Sequence, residues 1–408
     1  MAVLPLLTVN GDRLNTSITR LAKIGKQPNG DIRRIAFTPE DLQARYLVQQ
    51  WMVEAGMTVR VDAAGNLIGT YAGTQPGAPA LATGSHIDTV PSGGQYDGTL
   101  GVLAGIEAVR VLQESQMRLK HPIEVIVFTD EESSMVGCQA MAGMVPALTD
   151  HKLEQMRSRL ETIGGNWDEI EKARRDRTQI AAFVELHVEQ GAVLERTQKQ
   201  IGVVQGVVGM SRQTITIEGQ ANHAGTTPMD MRQDALVAAA HIVLAVQQMA
   251  LAMPSQPVAT VGFLTVAPNA VNIVPGHVEL TVDMRDLSAT VLGDMLTQLK
   301  QALQDIAAKT NTHIHIEPLN AMEPSLAAPQ IQQVIEQVAH TLNLSTHSLP
   351  SRAGHDAMEM GRLTDMGMIF VPSQQGLSHS GAEYTSPEQC VQGANVLLQT
   401  LLRLDEVY

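Results

Sequence analysis

Hydrophobic and polar positions recur with different periods along the chain, and these periods predict its elements. Between residues 15 and 145, segments with a helical period alternate with short apolar runs. The pattern predicts helices over residues 39–56 and 98–112, and strands at Thr58–Val61, at Ala80–His86 and over 123–129. Helices that alternate with strands are typical of an α/β fold.

The period changes in the middle of the chain. From residue 210 to 325 the pattern predicts a strand over 213–219, a helix over 235–253, strands over 259–264 and 278–285, a helix over 291–309 and a strand over 313–317. This β-α-β-β-α-β order is that of the ferredoxin-like module. From residue 328 the pattern returns to helix, strand and a final helix over 387–402, which would complete the first sheet. We therefore predict an α/β domain that is interrupted by an inserted lid.

Composition and charge exclude several classes of partner. The 408 residues are 44% hydrophobic, which is enough to fill real cores, and the length suits roughly two or three domains. Acidic residues outnumber basic ones by 42 to 28, and the net charge is −14. Because no basic stripe is present, nucleic acid and anionic membranes are poor candidates as partners. We expect a soluble globular protein.

The N-terminal residues and the cysteines bear on the cellular compartment. The first seven residues contain no basic region, and their apolar run is too short for a signal peptide or a membrane span. Cys138 and Cys390 are the only cysteines, too few for a disulfide framework or a cysteine metal site. We therefore expect two buried, inert thiols and a cytoplasmic location.

A histidine and two carboxylates lie where the predicted strand Ala80–His86 ends. Asp88 follows His86 by two residues, and Asp97 comes just before the next predicted helix. Zn-like ions bind neutral imidazole and carboxylate oxygen, so His86 and Asp97 are candidate ligands. On an extended segment Asp88 lies on the same face as His86, where its carboxylate could accept the other ring N–H. A buried His–Asp pair with a purely structural role is the alternative.

Three acidic residues follow the apolar strand over 123–129 directly. In Asp130-Glu131-Glu132, adjacent carboxylates point in different directions, so one can bind a metal while its neighbour faces a water as general base. An acidic turn without function is the alternative. Unpaired carboxylates are costly at the end of a buried strand, however, which favours a site.

Two further histidines lie in separate segments. His187 belongs to a strand-like alternation, on the face opposite Leu186 and Val188. His379 lies in a loop of small residues over 376–383. A lone histidine in such a loop is more often without function than a metal ligand. His379 is therefore a candidate ligand only in combination with the other motifs.

Together these motifs resemble the M20 metallopeptidase superfamily over almost the whole chain. The resemblance rests on the spaced series His86, Asp97, Asp130-Glu131-Glu132, His187 and His379, and on the segments over 222–228 and 269–276. Within the superfamily the sequence is similar to the amidases of hydantoinase/carbamoylase type. That branch includes N-carbamoyl-L-amino-acid hydrolases, allantoate amidohydrolases and β-ureidopropionases.

The resemblance implies a fold and a cofactor. The fold would be a di-metal, aminopeptidase-like α/β catalytic domain over 1–209 and 328–408, with a ferredoxin-like α+β lid and dimerisation domain over 210–327. Two divalent ions, Zn, Mn, Co or Ni, would bind to each chain. His86 and His187 would hold one ion and Glu132 and His379 the other, with Asp97 bridging them and Glu131 acting as the base. His187 stands where many M20 peptidases carry an acidic ligand, which would make the centre slightly more electrophilic.

The resemblance also implies residues that contact the substrate. His223 would donate to the oxygen that becomes negative in a tetrahedral intermediate. Asn272 and Arg285 would anchor the substrate, because a guanidinium is the natural bidentate partner of a carboxylate. Gln190 would contact the substrate, and Arg212 is a weaker candidate of the same kind. A surface-turn histidine and a salt-bridged arginine are the alternatives for His223 and Arg285.

One segment departs from the family pattern. Arg352 occupies a position where relatives usually carry glycine, and an added cation there could change which substrate fits. The neighbouring His355 and Asp356 match the family. We expect His355 to support the site as a substrate-binding residue, with a structural role equally open.

Three functions follow from these observations. The first is metal-assisted hydrolysis of the ureido C–N bond of N-carbamoyl-L-amino acids, which releases the amino acid, ammonia and carbon dioxide. The second, allantoate amidohydrolase or β-ureidopropionase, uses the same site residues. The third is a binding protein that has lost catalysis, which is disfavoured because all five implied ligands and Glu131 are present. The expected partners are a small ureido or amide substrate with a carboxylate and, by the resemblance, a second copy of the chain bound through the lid.

Overall fold

A computed structural model describes residues 7–145 and 148–408. Its α-helices, in chain order, are α1 (Gly11–Leu21), α2 (Pro39–Glu54), α3 (Thr99–Glu114), α4 (Val136–Met141), α5 (Asp150–Thr162), α6 (Val193–Thr197), α7 (Ala235–Ala252), α8 (Ala289–Thr310), α9 (Pro329–Thr341), α10 (Asp356–Leu363) and α11 (Pro387–Val407). Its strands are β1 (Thr58–Val61), β2 (Leu67–Tyr71), β3 (Ala80–His86), β4 (Ile123–Phe128), β5 (Ile180–Val188), β6 (Ile201–Val207), β7 (Gly209–Glu218), β8 (Asn222–His223), β9 (Val258–Ala267), β10 (Ile273–Val274), β11 (His277–Asp286), β12 (His313–Met322), β13 (Ser325–Leu326), β14 (Thr346–Ser351) and β15 (Asp365–Val371).

The larger sheet has the order β1-β2-β4-β3-β5-β15-β6-β13, with β14 beside β6. Its centre is parallel, since β3 pairs in this sense with β4 and β5, and β15 with β5. Every residue of β3 and β4 is buried, as expected for strands that are covered on both faces. Helices α3 and α11 pack against this sheet and against each other. The mixed α/β fold predicted from the sequence is therefore confirmed, and the C-terminal β15 completes the sheet begun by the N-terminal strands.

The chain divides into two compact units. One consists of the described residues up to Val207 together with Leu326–Tyr408, and the other is Val208–Ser325. The second unit contains an antiparallel sheet of order β12-β7-β11-β9, on which α7 and α8 pack. Its core joins Ile215 and Leu280 of the sheet to Ile242 and Leu299 of the helices. Along the chain the main elements run strand, helix, strand, strand, helix, strand.

Several element boundaries differ from the predicted ones, and two of the differences have clear local causes. Helix α3 begins at Thr99 because Gly98, with φ of 65°, has a left-handed backbone that cannot continue the helix. Strand β12 continues to Met322 past Pro318. A proline is tolerated there because β12 is an edge strand and its ladder is irregular between Pro318 and Asn320.

Among the described residues, α7 alone is long and apolar enough to span a membrane by length and composition. One of its faces is buried, with Ala238, Ile242 and Val246 in the core of the second unit. Such burial is usual for the core helix of a globular domain, so α7 is weak evidence for a membrane span.

Candidate metal centre

The candidate ligands come together because neighbouring parallel strands end at the same edge of the large sheet. Strand β3 ends at His86, β4 leads directly into Asp130-Glu131-Glu132, and β5 carries His187 as its second-last residue. The loop with His379 follows β15, the next strand in the sheet. Open α/β sheets place their sites at this carboxyl edge.

A first group of ligand atoms is formed by His86, Asp97 and His187, all of them buried. Asp97 Oδ1 lies 3.6 Å from Nε2 of His86 and 3.1 Å from Nε2 of His187. Two ligands that bind one Zn²⁺ at about 2.1 Å and at a tetrahedral angle lie about 3.4 Å apart. The spacing and the donor types therefore fit a divalent ion.

Hydrogen bonds fix the two buried imidazoles in the tautomer that a metal requires. Nδ1 of His86 lies 3.0 Å from the carbonyl oxygen of Asp88, and Nδ1 of His187 lies 2.8 Å from that of Val188. Since a carbonyl oxygen only accepts, both rings carry their hydrogen on Nδ1 and present the Nε2 lone pair.

Asp88 contacts the His86 ring through its backbone carbonyl and not through its carboxylate, contrary to our prediction. Its carboxylate Oδ1 lies 3.8 Å from Nδ1 of His86, too far for a hydrogen bond, and the backbone carbonyl takes that role. The other carboxylate oxygen of Asp88 accepts the backbone N–H of Glu132 at 3.2 Å. Asp88 thus orients both the imidazole and the acidic segment, the first through its backbone and the second through its side chain.

A second group of ligand atoms consists of Asp97, Glu132 and His379. Nε2 of His379 lies 3.5 Å from Asp97 Oδ2 and 3.5 Å from Glu132 Oε2. Asp97 therefore turns one oxygen toward each group, as a bridging carboxylate does. The second group is more open than the first, because the His379 side chain is 51% exposed.

Glu131 lies beside the first group, with Oε2 3.6 Å from Nε2 of His86. Burial raises the pKa of Glu131 well above its usual range, and the nearby Asp356 and Glu132 carboxylates raise it further, against the opposing effect of His86. A carboxylate whose proton affinity is raised is suited to accept a proton from water. The two adjacent carboxylates point to different imidazoles, Glu131 to His86 and Glu132 to His379.

The side chain of Gln190 contacts the candidate metal ligand Asp97. Its Nε2 donates to Asp97 Oδ2 at 2.9 Å and to Ser378 Oγ at 3.2 Å. Its Oε1 is buried and accepts no hydrogen bond from the described residues. Gln190 has a φ of 59°, an uncommon left-handed conformation. Its amide therefore holds Asp97 in place.

His355 is buried and packs against a metal-ligand candidate. Its ring centroid lies 4.5 Å from that of His187, and its Nε2 lies 2.8 Å from Ser351 Oγ. Burial lowers the pKa of His355 well below its usual range, and the neighbouring His187 lowers it further. A neutral His355 supports the orientation of His187. Arg352, three residues earlier, is exposed.

Two residues of the centre were not singled out from the sequence. A Cβ on Gly98 would lie 2.5 Å from Nε2 of His86, so only glycine leaves room at this position for the ligand atom and an ion. Glu383 is buried, and its Oε1 accepts the backbone N–H groups of Tyr96 and Asp97 at 2.8 and 3.0 Å. Two features of the sequence could have pointed to them: the Asp97-Gly98 pair just before a helix, and an acidic residue four positions after His379.

The second unit brings His223 and Asn272 together. The short strands β8 and β10 pair, with His223 opposite Ile273, and the carbonyl of Asn272 accepts the N–H of Ala224 at 2.9 Å. Nδ1 of the exposed His223 accepts the N–H of Gly225 at 3.0 Å. The neutral ring therefore carries its hydrogen on Nε2, which leaves an outward donor.

Arg212 and Arg285 meet on one carboxylate of the same unit. Asp283 Oδ2 accepts from Nε of Arg212 at 2.7 Å, and Oδ1 accepts from Nε of Arg285 at 2.9 Å. Burial favours the neutral acid, but hydrogen bonds from Arg285 and Arg212 hold the pKa of Asp283 below its usual range. Two guanidinium groups thus share one carboxylate at this end of β7 and β11.

Fold and site together define a metal-dependent hydrolase of the aminopeptidase-like kind. The family model of Peptidase family M20/M25/M40 matches residues 82–403. An N-carbamoyl-L-amino acid amidohydrolase of Geobacillus stearothermophilus is 40% identical over 97% of this chain and 99% of its own length. Allantoate amidohydrolase of Bacillus subtilis is 33% identical over 94% of this chain and 95% of its own length. The crystal structure of a hydantoinase/carbamoylase family amidase from Burkholderia multivorans has a TM-score of 0.89 and 37% identity, and covers 98% of each chain.

The chain belongs to the M20 family, and within it to the amidases of hydantoinase/carbamoylase type. This confirms the membership predicted from the spaced motifs. The motifs with the candidate metal ligands supply their side chains to a single edge of the large sheet.

Proposed function

We propose that this protein hydrolyses the ureido C–N bond of N-carbamoyl-L-amino acids and releases the amino acid, ammonia and carbon dioxide. The main support is the pair of ligand groups that share Asp97, with Glu131 beside them. The similarity to the Geobacillus amidohydrolase over nearly all of both chains supports this substrate class.

The donor set fits two divalent ions. His86, His187 and Asp97 would hold the first ion, and Glu132, His379 and Asp97 the second. When bound, such ions polarise a carbonyl group and acidify water, toward a pKa of about 7 for Zn²⁺. Imidazole and carboxylate ligands accept Zn, Mn, Co or Ni, so the donor set does not favour one metal.

Residues of the chain transfer the proton, stabilise the oxyanion and contact the substrate. Glu131 accepts the proton of the attacking water and returns it to the departing amine. In our proposal Nε2–H of His223 donates to the developing oxyanion, since its Nδ1 already accepts from the backbone. Gln190 holds Asp97 through its amide nitrogen and would contact the substrate beside it.

Arg285, with Arg212 and Asn272, would bind the substrate carboxylate. The two guanidinium groups gathered at Asp283 support this role, since such groups bind carboxylates bidentately. The proposal assigns residues 1–209 and 328–408 to the catalytic domain and 210–327 to a lid that supplies these groups.

We also propose that the lid forms a homodimer. Helix α7 exposes Leu244 at 55% and Leu251 at 80%, and the edge strand β9 exposes Phe263 at 46%. An apolar helix face next to an unpaired strand edge is a common dimer surface. The soluble composition and the two buried thiols support a cytoplasmic enzyme.

A panel of substrates tests the proposed activity. Ammonia release is measured from several N-carbamoyl-L-amino acids, from N-carbamoyl-β-alanine and from allantoate at equal concentrations. We expect the highest kcat/KM on one of the N-carbamoyl-L-amino acids. A preference for allantoate, the substrate named for the Bacillus subtilis relative, would instead assign the protein to allantoate hydrolysis. No ammonia from any of them would overturn the proposal.

A further inference from the structure

Glu383 connects the two loops that carry the ligands of the second ion. It lies four residues after His379, and its Oε1 accepts the backbone N–H groups of Tyr96 and Asp97 at 2.8 and 3.0 Å. The N–H of Glu383 donates to the carbonyl of Ser380 at 3.0 Å, which closes the turn after His379. One carboxylate thus ties the bridging Asp97 to the loop of the other ligand, more than 280 positions away in sequence.

Neighbouring residues bury Glu383 and pack closely against its carboxylate. The residue is 4% exposed, and a Cβ on Gly94 would come within 2.4 Å of its carboxyl carbon. The neighbouring Tyr384 packs edge-on against Tyr96, with ring centroids 6.1 Å apart. The loop over 94–97 is therefore held by the two hydrogen bonds to Glu383 and by the aromatic contact with the adjacent Tyr384.

The second group of ligands depends more than the first on contacts that hold its loops in place. His86 and His187 lie on or beside strands of the sheet and are 3% and 1% exposed. His379, by contrast, lies on a loop, is half exposed and has a φ of 51°. Its distance from Asp97 is set by the loops, because neither residue lies within a strand.

We propose that Glu383 is a positioning residue that sets the spacing of Asp97 and His379 and thereby the affinity for the second metal ion. The inference rests on the proposed two-ion centre. Glu383 acts through hydrogen bonds that it accepts, not through its negative charge, so an amide in its place retains the function. Side chains that orient ligands in this way typically change metal affinity by about 10–100-fold when they are removed.

Titration of the metal-free chain with Zn²⁺ by calorimetry, with elemental analysis of bound metal, tests the proposal. In Glu383→Ala we expect the second ion to bind about 10–100-fold more weakly, and the first ion, which keeps two imidazoles held by strands, to be weakened less. In Glu383→Gln, whose Oε1 still accepts both N–H groups, we expect both affinities to stay within a few-fold of the wild type. Circular dichroism and the Tm of each metal-free variant report on folding.

Asp405 provides a matched control. Its carboxylate also accepts two successive backbone N–H groups, from Lys120 at 3.1 Å and His121 at 2.9 Å, but at the opposite end of β4 from the acidic segment. Asp405→Ala should lower the Tm without weakening the second ion. Gly94→Ala perturbs Glu383 from outside and should weaken the second ion even if Glu383→Ala does not fold.

The outcomes separate the inference from the proposed function. Fewer than two ions on the wild type would overturn the two-ion centre itself. If the wild type binds two ions, wild-type affinity of the second ion in Glu383→Ala or in Gly94→Ala would overturn the role of Glu383. Equal weakening in Glu383→Gln and Glu383→Ala would show that charge matters instead of the accepted hydrogen bonds. Equal weakening in Asp405→Ala would show a general loss of stability.

Discussion

Nε2 of His187 lies 3.1 Å from Oδ1 of Asp97, while Nδ1–H of the same ring donates to the carbonyl of Val188 at 2.8 Å. The ring therefore carries no hydrogen on Nε2, which accepts the N–H of Gly98 at 3.1 Å, and Nε2 and Oδ1 are spaced as ligands of one ion. Because Asp97 turns its other oxygen toward His379, one carboxylate faces both groups of candidate ligands.

The first prediction concerns the general base. Glu131→Gln should keep both metals, because our proposal assigns the five ligands to other residues and its neighbour Glu132 supplies the carboxylate of the second group. Turnover should fall by ~10²–10⁴-fold, since an amide cannot accept the proton of water. The rate is measured together with metal content. Glu132→Gln is the matched control and should lose metal. Full activity of Glu131→Gln would remove Glu131 from the mechanism.

The second prediction concerns Gly98. In Gly98→Ala the added carbon would lie 2.5 Å from Nε2 of His86, so binding of the first ion should weaken by at least ~10-fold. A positive φ alone also destabilises alanine, and Gly77→Ala controls for that strain. Gly77 has a φ of 78°, and a Cβ added there would meet no atom within 4 Å beyond its chain neighbours. Calorimetric titration with Zn²⁺ should give wild-type affinity for Gly77→Ala only. Wild-type affinity in Gly98→Ala would show that the ligand atom does not need this space.

The third prediction concerns the substrate carboxylate. Arg285→Lys keeps the charge but loses the planar pair of donors, so kcat/KM should fall by an amount on the order of 1.5–3 kcal/mol if the charged hydrogen bond is lost. Arg285→Ala should be worse, because it removes the positive charge as well and leaves Arg212 alone of this pair on Asp283. A substrate amide without the carboxylate is the control. An equal loss on both substrates would mean that Arg285 does not bind that group.

The sequence predicted that His86, His187 and the acidic segment lie at one edge of a sheet, because each ends, belongs to or closely follows an apolar strand. His86 ends β3 and Glu131 follows β4, and parallel neighbours bring such positions to one edge. Local patterns also gave the order of the main elements in the second unit, since a long apolar helix such as α7 is distinct from alternating strands.

Other features depend on contacts between distant segments, which no local pattern encodes. Glu383 reaches Tyr96 across 287 positions, and its role follows only from the folded loops. The hydrogen bond from His86 goes to the backbone carbonyl of Asp88, although the side-chain alternation had suggested its carboxylate. The left-handed backbone of Gln190 turns its amide onto Asp97, a direction that strand periodicity does not give.

If hydrolysis of the ureido bond depends on two ions held at Asp97, activity must follow the metal content of the chain. Ammonia release from an N-carbamoyl-L-amino acid is followed with the chain freed of metal by a chelator, and again after addition of Zn²⁺, Mn²⁺ or Co²⁺, with bound metal counted by elemental analysis. We predict no release from the metal-free chain and full release once two ions are bound to each chain. Full release by a chain shown to hold no metal would contradict this dependence.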